Sequence, residues 1–211
     1  MKKYFAELTG TFLLVLFGTG SIILSQSGFS FVNHMVISIA FGLSVFLMIL
    51  LFGKLSGAHI NPAVTVCLTI DKKFRWRDVF PYIGFQLVGA VLASFSLHIL
   101  FPQSDLLGAT IPSGSEMQSF LLEILLMFLL MLTILNAGSK LIIAALLIGA
   151  VVGLEAYFAG PICGASMNPA RSFGPALISG HLEHLWIYIF APIIGGILAI
   201  FSLKILRNGE L

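Results

Sequence analysis

The chain has 211 residues, of which 58% are hydrophobic and 9% charged, with a formal net charge of +2 and a mean hydropathy of +1.06. A soluble domain carries roughly 25% charged residues, so composition excludes a soluble globular protein and indicates a membrane protein. The small net charge gives no ground for nucleic acid as a partner, and Cys67 and Cys163, in apolar context without CxxC or a nearby His, read as free thiols and exclude a disulfide framework or a metal site.

The N-terminal stretch MKKYFAELTGTFLLVLFGTGSIIL has the basic start of a secretory leader. Its apolar run is longer than the roughly 7–15 residues of a leader core, contains Glu7 and lacks a small-residue cleavage site. It reads as a first membrane span, residues 4–25. A helix needs about 20 apolar residues to cross hydrocarbon, and five further segments qualify: 32–52, 79–101, 117–136, 140–159 and 185–206. Two more apolar stretches, 61–70 and 168–178, fall short. At 1.5 Å rise per residue each makes roughly 15 Å of helix, half a membrane. The segment DKKFRWRD at 71–78 is a basic linker with Trp76 as an interfacial anchor. The glycines from Gly10 to Gly196, Gly18, Gly42, Gly84, Gly89 and Gly149 among them, fit close helix packing and not a phosphate loop.

With the N-terminus inside, Lys2, Lys3, Lys54, Lys72, Lys73, Arg75, Arg77, Lys140, Lys204 and Arg207 all fall on the cytoplasmic side, ten of the eleven Lys and Arg. The outer loops 26–31 and 102–116 hold none, as the positive-inside rule requires. The eleventh, Arg171, lies at membrane depth, where a charge is costly and points to function.

The two short stretches are near copies. Gly57-Ala58-His59-Ile60-Asn61-Pro62-Ala63 aligns without a gap to Gly164-Ala165-Ser166-Met167-Asn168-Pro169-Ala170, an offset of 107. Upstream, the run from Glu7 to Leu14 echoes that from Glu123 to Leu130. The chain therefore reads as one domain over 1–211 built from two repeats, about 1–101 and 117–206, each with three spans and a half-span. Three is odd, so the second repeat is inverted relative to the first. Such repeats place their broken helices near the midplane, at the repeat interface.

Asn followed by Pro starts a helix. Pro suits the first helical position, where no N–H donor is needed, and Asn before it is a strong N-cap. Asn61 and Asn168 should each begin a half-helix in mid-membrane, keeping NH₂ donors for a passing solute. Non-helical backbone at that depth must be buried or line a wet cavity, so SGAHI and CGASM should offer carbonyl acceptors there. Two helix N-termini bring partial positive charge to the same point. A narrow pore for uncharged hydrogen-bonding solutes follows. A secondary transporter with broken helices fits less well, since no acidic residue stands in either Asn-Pro-Ala loop, and no nucleophile–base constellation or cofactor motif suggests an enzyme.

These motifs, with AFGLSV and FAGPICGASMNPARSFGPAL, resemble the aquaporin or major intrinsic protein family over essentially the whole chain, in its bacterial type. The resemblance implies an aquaporin-like all-α fold of six transmembrane helices and two re-entrant half-helices. It implies a water channel without cofactor, as a homotetramer in the cell inner (plasma) membrane with both termini cytoplasmic. Its centre would be Asn61, Pro62, Ala63, Asn168, Pro169 and Ala170. Its selectivity filter would be Phe41, Ala156, Ala165 and Arg171, with Glu7, Glu123 and His59 supporting the loops. Strict water channels usually carry His where this chain has Ala156. Glycerol facilitators usually carry an aromatic where it has Ala165, and Asp where it has Ser172. The filter is mixed and wide, so water with slower glycerol passage is expected, an aquaglyceroporin-type facilitator being the alternative. Glu155, beside Ala156, either braces the loop GPICGAS or faces the pore vestibule. Cys163, two residues from Ala165, is a candidate for thiol reagents.

Overall fold

The computed structural model describes residues 1–208. Six of its helices are long: α1 (Lys2–Gln26), α2 (His34–Ser56), α4 (Trp76–Leu100), α5 (Glu116–Asn136), α6 (Leu141–Cys163) and α8 (Leu185–Asn208). All six are long and apolar enough to cross a membrane. Two are half-length, α3 (Pro62–Ile70) and α7 (Pro169–Ser179). The all-α architecture thus agrees with the sequence reading, with shifts at the ends. α2 runs on to Ser56, α4 takes in Trp76 and Asp78 and so shortens the expected linker, and α6 continues through Pro161 to Cys163.

The α6 extension depends on a contact with α2. A proline inside a helix leaves the carbonyl four residues earlier without its donor, and in a membrane that group must be satisfied from elsewhere. For Pro161 it is the carbonyl of Tyr157, to which His34 Nε2 donates at 2.7 Å. The His34 ring also stacks on the Tyr157 ring, centroids 5.3 Å apart.

Leu43, Leu47 and Leu51 on α2 and Leu121, Leu125 and Leu129 on α5 are exposed at four-residue intervals, so the outer stripes of these helices are apolar, while their inner stripes hold polar groups such as Ser38, Ser44, Ser119 and Glu123. An outward stripe of large apolar side chains belongs in lipid. Inside, α1 packs on α4 and α2, and α5 on α8 and α6. α2 lies against α6, α3 contacts α4 and α8, α7 contacts α8 and α4, and α3 meets α7. Exchanging α1–α4 for α5–α8 maps these pairings onto one another. Glycine sets the closest approaches. A Cβ on Gly42 would sit 2.7 Å from the Gly149 carbonyl where α2 crosses α6. Gly89 of α4 abuts the Leu8 carbonyl of α1, and Gly195 of α8 abuts the Ile124 carbonyl of α5, a repeat-related pair. Gly84 faces nothing within 4 Å among the described residues, so close packing does not account for it. At the basic end Asp78 accepts from Tyr4 Oη and pairs with Lys3, both at 2.8 Å, tying α1 to α4.

Candidate functional site

Asn61 and Asn168 cap the two short helices as their sequence context predicts. Asn61 Oδ1 accepts from the N–H groups of Ala63 (2.9 Å) and Val64 (3.4 Å), and Asn168 Oδ1 from those of Ala170 (3.0 Å) and Arg171 (3.4 Å). Pro62 and Pro169 occupy the first turns. Each cap contributes about 0.5–2 kcal/mol relative to alanine. The amide nitrogens also cross between the repeats. Asn61 Nδ2 donates to the Met167 carbonyl and Asn168 Nδ2 to the Ile60 carbonyl, both at 2.8 Å. This reciprocal lock is absent from the sequence reading, and it uses one N–H of each NH₂ and one carbonyl of each loop.

The loops before the caps are held in an unusual backbone form. Gly57, Ala58 and Ile60, and their counterparts Gly164, Ala165 and Met167, all have positive φ. A bulky or β-branched residue there is strained, at about 1–3 kcal/mol each. Two buried carboxylates hold it in place. Glu7 accepts from the N–H groups of His59 (2.9 Å) and Ile60 (2.6 Å), from Ser56 Oγ (2.6 Å) and from Gln86 Nε2 (2.7 Å). Glu123 accepts from the N–H groups of Ser166 and Met167, both at 2.7 Å. Tyr82 Oη donates to the Ser56 carbonyl and Tyr188 Oη to the Cys163 carbonyl, each at 2.8 Å. His59 Nδ1 lies 3.1 Å from Thr65 Oγ1 while its ring packs on Phe74 and Tyr82. At the equivalent place Ser166 Oγ bonds Ser172 Oγ, which accepts from Thr110 Oγ1. Among the described residues, the carbonyls of Gly57, Ala58, His59, Gly164, Ala165 and Ser166 accept no hydrogen bond.

A cavity of about 210 Å³ runs past both loops. Phe41, Ala156, Ala165 and Arg171 line it together, with Asn61, Asn168 and His59. Val45, Ile49, Val64, Leu68, Leu130 and Ile134 give it an apolar wall. The Arg171 guanidinium stands 4.9 Å from the centroid of the Phe41 ring, within cation–π range. Its Nη1 donates to the Gly108 carbonyl at 2.9 Å, and its Nε has no partner among the described residues. Sequence reading missed Gly108, which sits in the loop before α5 with Leu107, both at positive φ.

Two expectations need correction. Glu155 neither braces the loop nor faces the cavity. It lines a groove on the outer side of α5 and α6 with Leu126, Leu129, Thr133 and Phe158, because neighbours on a helix point about 100° apart and Ala156 takes the inward position. Both carboxyl oxygens are buried without a partner among the described residues. Leaving such a group unsatisfied costs about 1–3 kcal/mol, so Glu155→Leu is expected to raise the thermal midpoint in detergent and leave solute flux unchanged. A lowered midpoint would reveal a partner for the carboxyl. Cys163 is fully buried, its thiol 3.5 Å from the Ala159 carbonyl, and so is closed to thiol reagents, as is Cys67.

The sequence pattern of the family described as Major intrinsic protein matches residues 1–202. Aquaporin NIP1-1 of Oryza sativa subsp. japonica is 38% identical over 212 residues, covering 98% of this chain and 75% of the relative. Nodulin-26 of Glycine max is 34% identical, covering 98% and 78%. Among solved structures, the X-ray structure of the aquaglyceroporin from Plasmodium falciparum matches at a TM-score of 0.89 and 24% identity, over 98% of this chain and 97% of that one, a likeness of fold. The chain belongs to the major intrinsic protein family, whose members are membrane channels and in general not enzymes.

Proposed function

We propose that the protein is a passive channel for water that also passes small neutral solutes such as glycerol more slowly and excludes ions and protons. The observation that carries this reading is the cavity shared by two opposed asparagine caps and a tethered guanidinium, with an apolar wall beside the two loops. α3 and α7 act as re-entrant half-helices. Each asparagine keeps one N–H free for the oxygen of a passing water, and the unpaired loop carbonyls take that water's hydrogens. Two helix N-termini and Arg171 oppose a cation, and the apolar wall gives no replacement for its lost hydration. Asn61, Pro62, Ala63, Asn168, Pro169 and Ala170 form the centre of the pore, and Phe41, Ala156, Ala165 and Arg171 its selective constriction. Glu7, Glu123 and His59 hold the loops in register.

Coupling to an ion gradient finds little support, because the carboxylates Glu7 and Glu123 are fully buried outside the cavity lining and engaged by loop N–H groups. We read the chain as one channel domain of two inverted repeats, 1–101 and 117–206. By its family and its lysine and arginine distribution, we place it as a homotetramer in a plasma membrane with both termini cytoplasmic.

Selectivity tests the reading. Ala156 and Ala165 leave space opposite Phe41, which offers glycerol's carbons a wall while Arg171 and the carbonyls meet its hydroxyls. Ala156→His fills that space and adds a donor. In proteoliposomes this variant is expected to lose glycerol flux and retain most water flux. Wild-type vesicles with glycerol flux at the protein-free background would contradict the wide constriction.

A further inference from the structure

We propose that Gly18, on α1 and outside the four residues of the constriction, sets the width of that constriction by giving the Phe41 ring its seat. The inference rests on the channel reading above and extends it to a residue in a second layer. A Cβ built on Gly18 would lie 2.7 Å from Cδ1 and 2.8 Å from Cζ of Phe41, and closer still to Cε1, whereas Cβ atoms essentially never come within 3.0 Å of another heavy atom. One whole edge of the ring therefore occupies the place of a side chain at position 18.

The ring cannot absorb the conflict as a flexible chain would. At Gly20, two residues on and so about 200° around the helix, an added methyl would meet, among the described residues, only the flexible end of Leu97 at 3.3 Å. At Gly18 it would meet a rigid plane that moves only as a body. That plane is buried, at 7% exposure, and its face carries the Arg171 guanidinium. Leu14, four residues before Gly18 and so on the same face of α1, lines the cavity as Phe41 does. A ring pushed off α1 moves toward the cavity, into the room left by Ala156 and Ala165. Three small residues thus make the opening wide, and Gly18 is the one that never touches the solute. Solutes with a carbon skeleton lying against the Phe41 ring should sense it most, small polyols and amides before water.

The test is a two-by-two comparison in proteoliposomes of wild type, Gly18→Ala, Phe41→Leu and Gly18→Ala/Phe41→Leu. Water, urea and glycerol fluxes are each scaled to inserted protein. The readout is the flux of the largest of the three solutes that wild type conducts. Gly18→Ala is expected to lower it about ten-fold or more, the change produced by one modest addition to a barrier. In the Phe41→Leu background the same methyl group should change nothing, because Cε1 and Cζ are gone and the leucine Cδ atoms, unlike a ring, can rotate aside. An unaltered size profile in well-inserted Gly18→Ala overturns the proposal, as does an equal drop in the Phe41→Leu background. Should Gly18→Ala fail to insert, the Phe41→Leu pair decides alone: matching profiles support the seat, and differing ones overturn it. Wild-type vesicles with no solute flux above protein-free vesicles would overturn the channel reading and this inference with it, a result distinct from a flat profile in conducting vesicles.

Discussion

Glu7→Leu is expected to yield a chain that inserts poorly or melts far below wild type. The Glu7 carboxylate receives the N–H groups of His59 and Ile60, the Ser56 hydroxyl and the Gln86 amide, all in a site with no solvent exposure. Leucine leaves these donors facing a methyl group. Each buried donor left unsatisfied costs about 1–3 kcal/mol, and domains of ordinary stability hold only about 5–15 kcal/mol in total. The loop it holds is itself strained at Ala58 and Ile60, so the loss leaves that strain to the remaining ties, among them Asn168 to the Ile60 carbonyl and Tyr82 to the Ser56 carbonyl. Glu7→Gln keeps one acceptor oxygen and should fall between the two. Thermal midpoints and monodisperse yield in detergent check the order. A Glu7→Leu protein as stable as wild type would show that the loop is held by other contacts.

Arg171→Val is expected to turn a channel closed to cations into one that leaks protons and small monovalent cations while water still passes. The guanidinium is buried at 3% exposure and is held toward the cavity by the Gly108 carbonyl and the Phe41 ring. A unit charge at roughly 8 Å in an effective dielectric of about 20 opposes a cation by about 2 kcal/mol. Removing it should therefore raise the leak about thirty-fold. The helix N-termini at Asn61 and Asn168 remain and should keep the leak below that of an open pore. A pH-sensitive dye inside the vesicles measures it, and a leak equal to wild type would show that Arg171 is not the barrier.

The outline of this site was legible because its chemistry is local in sequence. Asn-Pro read as a helix start, and both caps lie where that reading places them. The offset of 107 located the paired loops, and the depth of Arg171 marked it as functional. What escaped depends on groups far apart in the chain. The Gly108 carbonyl reaches Arg171 across 63 residues from a loop whose only local sign is a Leu-Gly turn. The exchange of Asn61 and Asn168 amides for the opposite loop's carbonyls needs both loops folded before it can be seen. Gly18 looks like any small residue on a membrane helix until the Phe41 ring is found against it. Glu155 was misjudged because adjacency to Ala156 in sequence says nothing about which side of α6 it occupies, and an all-apolar helix has no polar stripe to mark its inner face. α6 runs past the expected end at 159 because His34, from α2, supplies the donor that Pro161 removes.

Passive conduction is decided by stopped-flow light scattering on proteoliposomes, with an inward osmotic step of an impermeant sugar followed by one of glycerol, each run with and without a proton gradient and a membrane potential. A passive channel gives water efflux well above protein-free vesicles, a slower glycerol entry, and no response of either rate to the proton gradient or the potential. Water permeability equal to that of protein-free vesicles, or solute entry that proceeds only when one of those gradients is imposed, would contradict it.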